Sequence, residues 1–258
     1  MPFPNLKNKH LHNPLFTPQD YLLYLKRTGR YPKFKAPRGM IICYQSGLLE
    51  YILKNHKTTA AKGFCRGMHL LDETGGEVAI AGNFGIGAPA VAVILEELIA
   101  FGVKRFISIG TAGALQKNIK VGDVMVCEKA IRDEGTSYHY AKPSKYAYPS
   151  KRITGEIKAA LERSNYKYFT GVTWTIDAPY RETVAEIKRY QKEGVATVEM
   201  EASALFAIAE YRRAELGAIF TISDSLAELE WKPKFHLKRT IKGLEILYKA
   251  ALSVLRIS

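Results

Sequence analysis

Cysteine is scarce in this chain, and its pattern excludes a disulfide framework. Cys43, Cys65 and Cys127 are odd in number, widely spaced and without a CxxC pairing. They fit reduced, buried thiols in a cytoplasmic protein. Long apolar runs are also missing. The longest candidate, Ala88 to Phe101, is interrupted by Glu96 and Glu97, which argues against a membrane span. The N-terminus lacks the charged-then-apolar order of a signal peptide. A soluble protein with no membrane partner is expected. His10, His12, His56, His69, His139 and His236 show no HExxH or similar spacing, so no metal is expected. Neither GxGxxG nor GxxxxGK[ST] occurs, which weakens dinucleotide and P-loop readings.

Acidic residues are outnumbered, 25 against 38 lysines and arginines, leaving a net charge of +13. A basic surface attracts phosphate backbones without specificity. Here the lysines are scattered through 7–35, 142–167 and 232–242, with no dense arm or recognisable module, so no nucleic-acid partner is expected. Small anionic substrates gain from the same field. The 258 residues suffice for one large core, and a single α/β domain is the economical reading.

Residues 1–38 are polar, aromatic and punctuated by proline, which predicts an irregular arm ahead of a catalytic domain at 39–258. From Gly39 the pattern alternates. Strands are predicted at 39–44, 77–81, 104–109, 123–130, 168–174 and 216–223. Helices are predicted at 47–55, 89–101, 150–164, 182–192, 200–212 and 240–255. Such alternation implies a mainly parallel sheet covered on both faces.

The chemistry gathers where strands end, the usual place for ligands in such sheets. Gly82-Asn83-Phe84-Gly85-Ile86-Gly87 leads into a helix and lets backbone amides approach an anion. Gly110-Thr111-Ala112-Gly113 offers a hydroxyl and small residues, or else only a tight turn. Ile222-Ser223-Asp224 sets a carboxylate after a buried strand. Such an acid can protonate a leaving group if an apolar surround raises its pKa, although turn and cap aspartates are commoner. Val198-Glu199-Met200-Glu201-Ala202-Ser203 places two carboxylates before an apolar helix. Either they grip paired hydroxyls, as on a sugar, or they sit exposed at the positive end of the helix dipole. Lys232, Lys234 and Lys238 follow Asp224 and read as a solvated basic loop or a lid.

Taken together, Phe84-Gly85-Ile86-Gly87-Ala88-Pro89, Ser108-Ile109-Gly110-Thr111-Ala112-Gly113-Ala114, Val121-Gly122-Asp123-Val124, Val198-Glu199-Met200-Glu201 and Ser223-Asp224 resemble the nucleoside phosphorylase family. That family holds purine nucleoside phosphorylases, uridine phosphorylases and methylthioadenosine-cleaving enzymes. The resemblance spans about 39–256 and implies a three-layer α/β/α fold on a twisted, mixed and partly barrel-like sheet. It also implies a homo-oligomer, dimer to hexamer, with sites shared between subunits, and phosphate as co-substrate with no cofactor. Carried over, Glu201 holds the ribose hydroxyls with Met200 beneath the sugar and Glu199 beside it. Thr111, Arg66, Ser108 and Gly87 serve phosphate. Ala112, Gly113, Pro179, Tyr180, Arg181, Val198 and Ser223 line the base, and Asp224 is the acid at purine N7.

Two departures stand out. The family's Gly-Asp-Pro-x-Arg loop is replaced by Cys43-Tyr44-Gln45-Ser46-Gly47-Leu48, and Ser108 stands where a second phosphate arginine is usual. Charge-assisted arginine contacts are strong phosphate grips. Phosphorolysis of purine nucleosides is the leading expectation. Uridine phosphorolysis, hydrolysis by water and nucleoside binding without catalysis stay open alternatives.

Overall fold

Strand β1 (Gly39–Cys43) is five residues buried throughout, as a strand with parallel neighbours on both sides must be. The computed structural model describes residues 4–61 and 67–256. After β1 come α2 (Ser46–Asn55), β2 (Thr58–Ala60), β3 (Met68–Leu71), β4 (Val78–Ala81), α3 (Ala88–Phe101) and β5 (Arg105–Ala114). Next are β6 (Val124–Asp133), β7 (Tyr146–Ala147), α4 (Lys151–Arg163), β8 (Phe169–Ile176) and α5 (Val184–Lys192). The chain ends with β9 (Thr197–Glu199), α6 (Ala202–Arg212), β10 (Glu215–Ser225), β11 (Lys232–Pro233) and α7 (Lys238–Arg256).

The strands form one mixed sheet that partly closes on itself. β5 pairs with β10, β10 with β6, β6 with β8, β8 with β9, and β9 returns to β5. This five-strand barrel continues from β5 into an open wing of β1, β4, β3 and β2. Helices cover both faces. α3 and α6 share one apolar core with the sheet, and α2, α4 and α7 share the other. α6 is apolar all round, with Ala202 through Ala209 all buried. A bidentate pair from Arg212 to Glu96 (2.6 and 2.9 Å) ties it to α3. The fold is therefore the expected three-layer α/β/α arrangement.

Several local expectations need correction. The segment read as an irregular arm contains helix α1 (Pro18–Arg27), opened by a reciprocal Thr17–Asp20 capping box with proline in its first turn. Its Leu22 and Leu25 are buried in the α3 core. Gly110–Ala114 is not a loop but the second half of β5, because β10 runs alongside it. Likewise Asp224 lies within β10 rather than after it. The strands β2 and β3, antiparallel to each other, have no counterpart in the sequence reading.

Candidate active site

The barrel's C-terminal strand ends surround a cavity of about 570 Å³. Its first wall comes from the register of β5 against β10. Thr221 pairs with Thr111 and Ile222 with Ala112, and then the register slips so that Asp224 pairs with Gly113. A bulge of this kind re-aims a side chain, and here it delivers the Asp224 carboxyl to the cavity. Gly113 leaves room for this close approach: a Cβ would lie 3.0 Å from Asp224 Oδ2 and 2.8 Å from Leu226 Cδ1, so those side chains would have to shift.

Both oxygens of Asp224 are held. Ser223 Oγ donates to Oδ1 (2.7 Å), and Trp231 Nε1 donates to Oδ2 (3.1 Å). Burial raises the Asp224 pKa, while these two donors pull it back. Glu182, in the link between the Pro179–Arg181 turn and α5, lines the same cavity. The α5 cap is made by Thr183 and Glu186, so Glu182 is not needed for it. Burial first, then the charges of Asp224 and Glu186, push its pKa up to about 7.

The opposite wall is built at the start of α6. Glu199 turns both oxygens inward: Oε2 accepts the amides of Glu201 (2.8 Å) and Ala202 (2.7 Å), and Oε1 accepts Thr175 Oγ1 (2.5 Å). It is thus a cap at the positive end of α6. Ser203 Oγ donates to Glu134 (2.9 Å), which also accepts the Ser137 amide (2.9 Å). The 132–140 loop thereby braces this turn. With Glu199 fixed, Glu201 points at the cavity, and one oxygen accepts the Gly87 amide (2.5 Å). Burial raises the pKa of both glutamates, and the Glu199 charge adds to the rise at Glu201.

The third region of the lining is neutral. Tyr44 and Gln45 follow β1 and meet Gly110 and Thr111 of β5. Gln45 Nε2 donates to Thr111 Oγ1 (3.1 Å), and the Tyr44 hydroxyl lies 3.1 Å from Ser108 Oγ. Gln45 Oε1 is buried without a partner.

Of the residues singled out in the sequence, Thr111, Ala112, Gly113, Pro179, Tyr180, Val198, Glu199, Met200, Glu201, Ser223 and Asp224 line this one cavity. Tyr180 is 99% exposed and stands at the rim. Other expectations need revision. The Gly87 amide is committed to Glu201 and is not free for an anion. Ser108 is buried behind Tyr44, and Arg181 is exposed outside the lining. Lys232, Lys234 and Lys238 are outside the lining, and Lys232 pairs with Glu228 and Glu230. Instead, Trp231 and Phe235 reach the cavity. Arg66 lies outside the described residues. Tyr44, Gln45, Glu182, Trp231 and Phe235 were missed, although the position of Tyr44-Gln45 just after a strand was itself a signal. Among the described residues, no cluster of His, Cys, Asp or Glu could hold a metal, and no helix is long and apolar enough to cross a membrane.

The Phosphorylase superfamily model matches residues 46–256. The chain belongs to this family. A guanosine phosphorylase of Halorubrum lacusprofundi is 33% identical over 169 residues, covering 61% of this chain and 70% of that protein. A uridine phosphorylase of Haemophilus influenzae is 27% identical over 195 residues, covering 70% and 77%. In fold, the chain is similar to a purine nucleoside phosphorylase from Toxoplasma gondii (TM-score 0.74, 19% identity, 86% of this chain and 92% of that one). It is also similar to a uridine phosphorylase from Vibrio fischeri (TM-score 0.66, 26% identity, 86% and 91%). Nucleoside phosphorylases are pentosyltransferases that take phosphate as co-substrate, so the family places this chain among enzymes of phosphorolytic nucleoside cleavage.

Proposed function

We propose that residues 39–258 cleave purine nucleosides with phosphate, giving free base and ribose 1-phosphate. The observation that carries this reading is that Glu201 and Asp224 line one cavity from separate elements. Glu201 accepts hydrogen bonds from the ribose 2′- and 3′-hydroxyls, with Met200 beneath the ring. Asp224 supplies a proton to N7 as the glycosidic bond breaks. Burial raises its pKa, which favours the acid form that this step uses. Glu182, an uncommitted acceptor at the base end, fits the N1–H of a 6-oxopurine. Uracil also offers one N–H, at N3, but flanks it with carbonyls on both sides, which would need donors there.

Phosphate takes the neutral end beside Thr111 and Gln45. Among the described residues the lining holds four carboxylates and neither lysine nor arginine. A phosphate anion therefore requires a cation from elsewhere. Arg66, delivered by a neighbouring copy in a homo-oligomer, is our candidate, and the basic surface favours phosphate arrival. Holding sugar and nucleophile in line supplies much of the acceleration, and the oxocarbenium-like sugar forms between acidic groups that favour it.

The test is to incubate the protein with guanosine, inosine, adenosine and uridine, with and without phosphate. Free purine and ribose 1-phosphate should appear together and only with phosphate, fastest for the 6-oxopurines. Base release independent of phosphate, or uracil released fastest, overturns the reading.

A further inference from the structure

Two large aromatic side chains lie together in the lining of this cavity. Trp231 is 60% exposed and Phe235 51%. They flank β11, whose two residues pair antiparallel with Asp224 and Ser225 of β10. This pairing fixes the hairpin beside the carboxyl that Trp231 holds. The indole N–H is thus bound to Asp224 while much of the ring remains uncovered.

We propose that Trp231 is a positioning residue with two separable roles, its ring covering the bound purine and its N–H holding Asp224 in place until the purine arrives. The proposal rests on the purine reading above. In the free protein Ser223 and Trp231 occupy both oxygens of Asp224, so an incoming N7 must share or replace one donor. The indole donor is the longer of the two and belongs to an exposed side chain, so it is the one that yields. The ring then slides over the base, gaining contact as its N–H leaves Oδ2. Glu182, whose pKa the Asp224 charge helps to raise, shares the lining with Glu199 and Glu201.

The two roles predict different behaviour in two variants. Trp231→Phe keeps a ring and removes the N–H. The nucleoside KM should then change by less than about threefold. Loss of a donor to the ionised carboxylate raises the Asp224 pKa. The acid form of the free enzyme persists to higher pH, and the alkaline limb of kcat/KM on inosine moves upward. Trp231→Leu removes both functions. It should show the same pH displacement together with a roughly 5- to 100-fold rise in KM, the range for losing one aromatic–base stack.

Tryptophan fluorescence gives a readout independent of turnover. The chain has two tryptophans. Trp174 is fully buried and bonded to Asp133 (2.8 Å), so hypoxanthine added without phosphate should change emission through Trp231 alone. The change should vanish in both variants. If the wild type cleaves inosine but neither variant alters KM, the pH limb or the fluorescence response, the Trp231 assignment is overturned while the purine reading stands. If the wild type cleaves no purine nucleoside, the purine reading itself has failed.

Discussion

Replacing Asp224 by asparagine is expected to lower kcat on guanosine and inosine by two to four powers of ten, the usual worth of general acid assistance, roughly 10² to 10⁴. Ribose binding should hardly change, because Glu201 lies on a different element. The substitution preserves size, and Ser223 and the Trp231 indole remain to orient the amide. What disappears is the transferable proton. In the wild type the carboxyl is protonated more readily than an ordinary aspartate because it is buried. Its acid form is present at low pH and is lost as pH rises through that elevated pKa, so kcat on purine nucleosides should fall along an alkaline limb. The limb should be absent in the variant. Purine turnover at the wild-type level, or a variant that retains the same limb, contradicts the assignment.

An equally large effect is expected at Glu201, of a different kind. A hydrogen bond contributes about 0.5–1.5 kcal/mol to a neutral acceptor and about 1.5–3 kcal/mol to a charged one. Two ribose hydroxyls on Glu201, whose pKa burial raises, therefore correspond to roughly one to four powers of ten in kcat/KM. Glu201→Gln keeps an oxygen for the Gly87 amide, whereas Glu201→Ala also strands that buried donor, costing a further ~1–3 kcal/mol of stability. The glutamine variant is thus the cleaner test. A substrate control sharpens it. The wild type should prefer inosine over 2′-deoxyinosine, and the variant should lose most of that preference because the group that senses the hydroxyl is gone. Full activity on inosine, or an unchanged preference, removes the ribose role from Glu201.

Which parts of this site could be read from the chain depends on distance along it. The apolar strands β1 and β4 and the amphipathic helices α4 and α7 follow from local patterns, and their ends fall within about two residues of expectation. The second half of β5 was hidden because Gly110-Thr111-Ala112-Gly113 has the composition of a turn. It is a strand because β10 lies beside it, and Gly113 serves the close approach of Asp224 rather than a bend. The partly barrel-like sheet was expected from the family resemblance, whereas local patterns gave no sign of its closure for a similar reason. That closure depends on β9, three residues long, which bridges β8 and β5.

Among the site residues, Glu199 shows what a motif cannot reveal. Sequence placed it beside the sugar, whereas its oxygens are spent on Thr175 and on the α6 amides. Its contribution is to fix the direction of Glu201. Tyr44, Glu182 and Trp231 come from three distant segments and share a cavity only after folding, so no local signal joins them. Helix α1, by contrast, was legible. Thr17-Pro18 with Asp20 is a capping signature, outweighed in the reading by the prolines around it.

The most direct measurement is a crystal structure of the protein with phosphate and an unreactive analogue of inosine. The account predicts the ribose O2′ and O3′ within hydrogen-bond reach of Glu201, about 2.6–3.2 Å, N7 facing Asp224, and phosphate beside Thr111 and Gln45. A sugar seated away from Glu201, or a base turned so that N7 points away from Asp224, would contradict it.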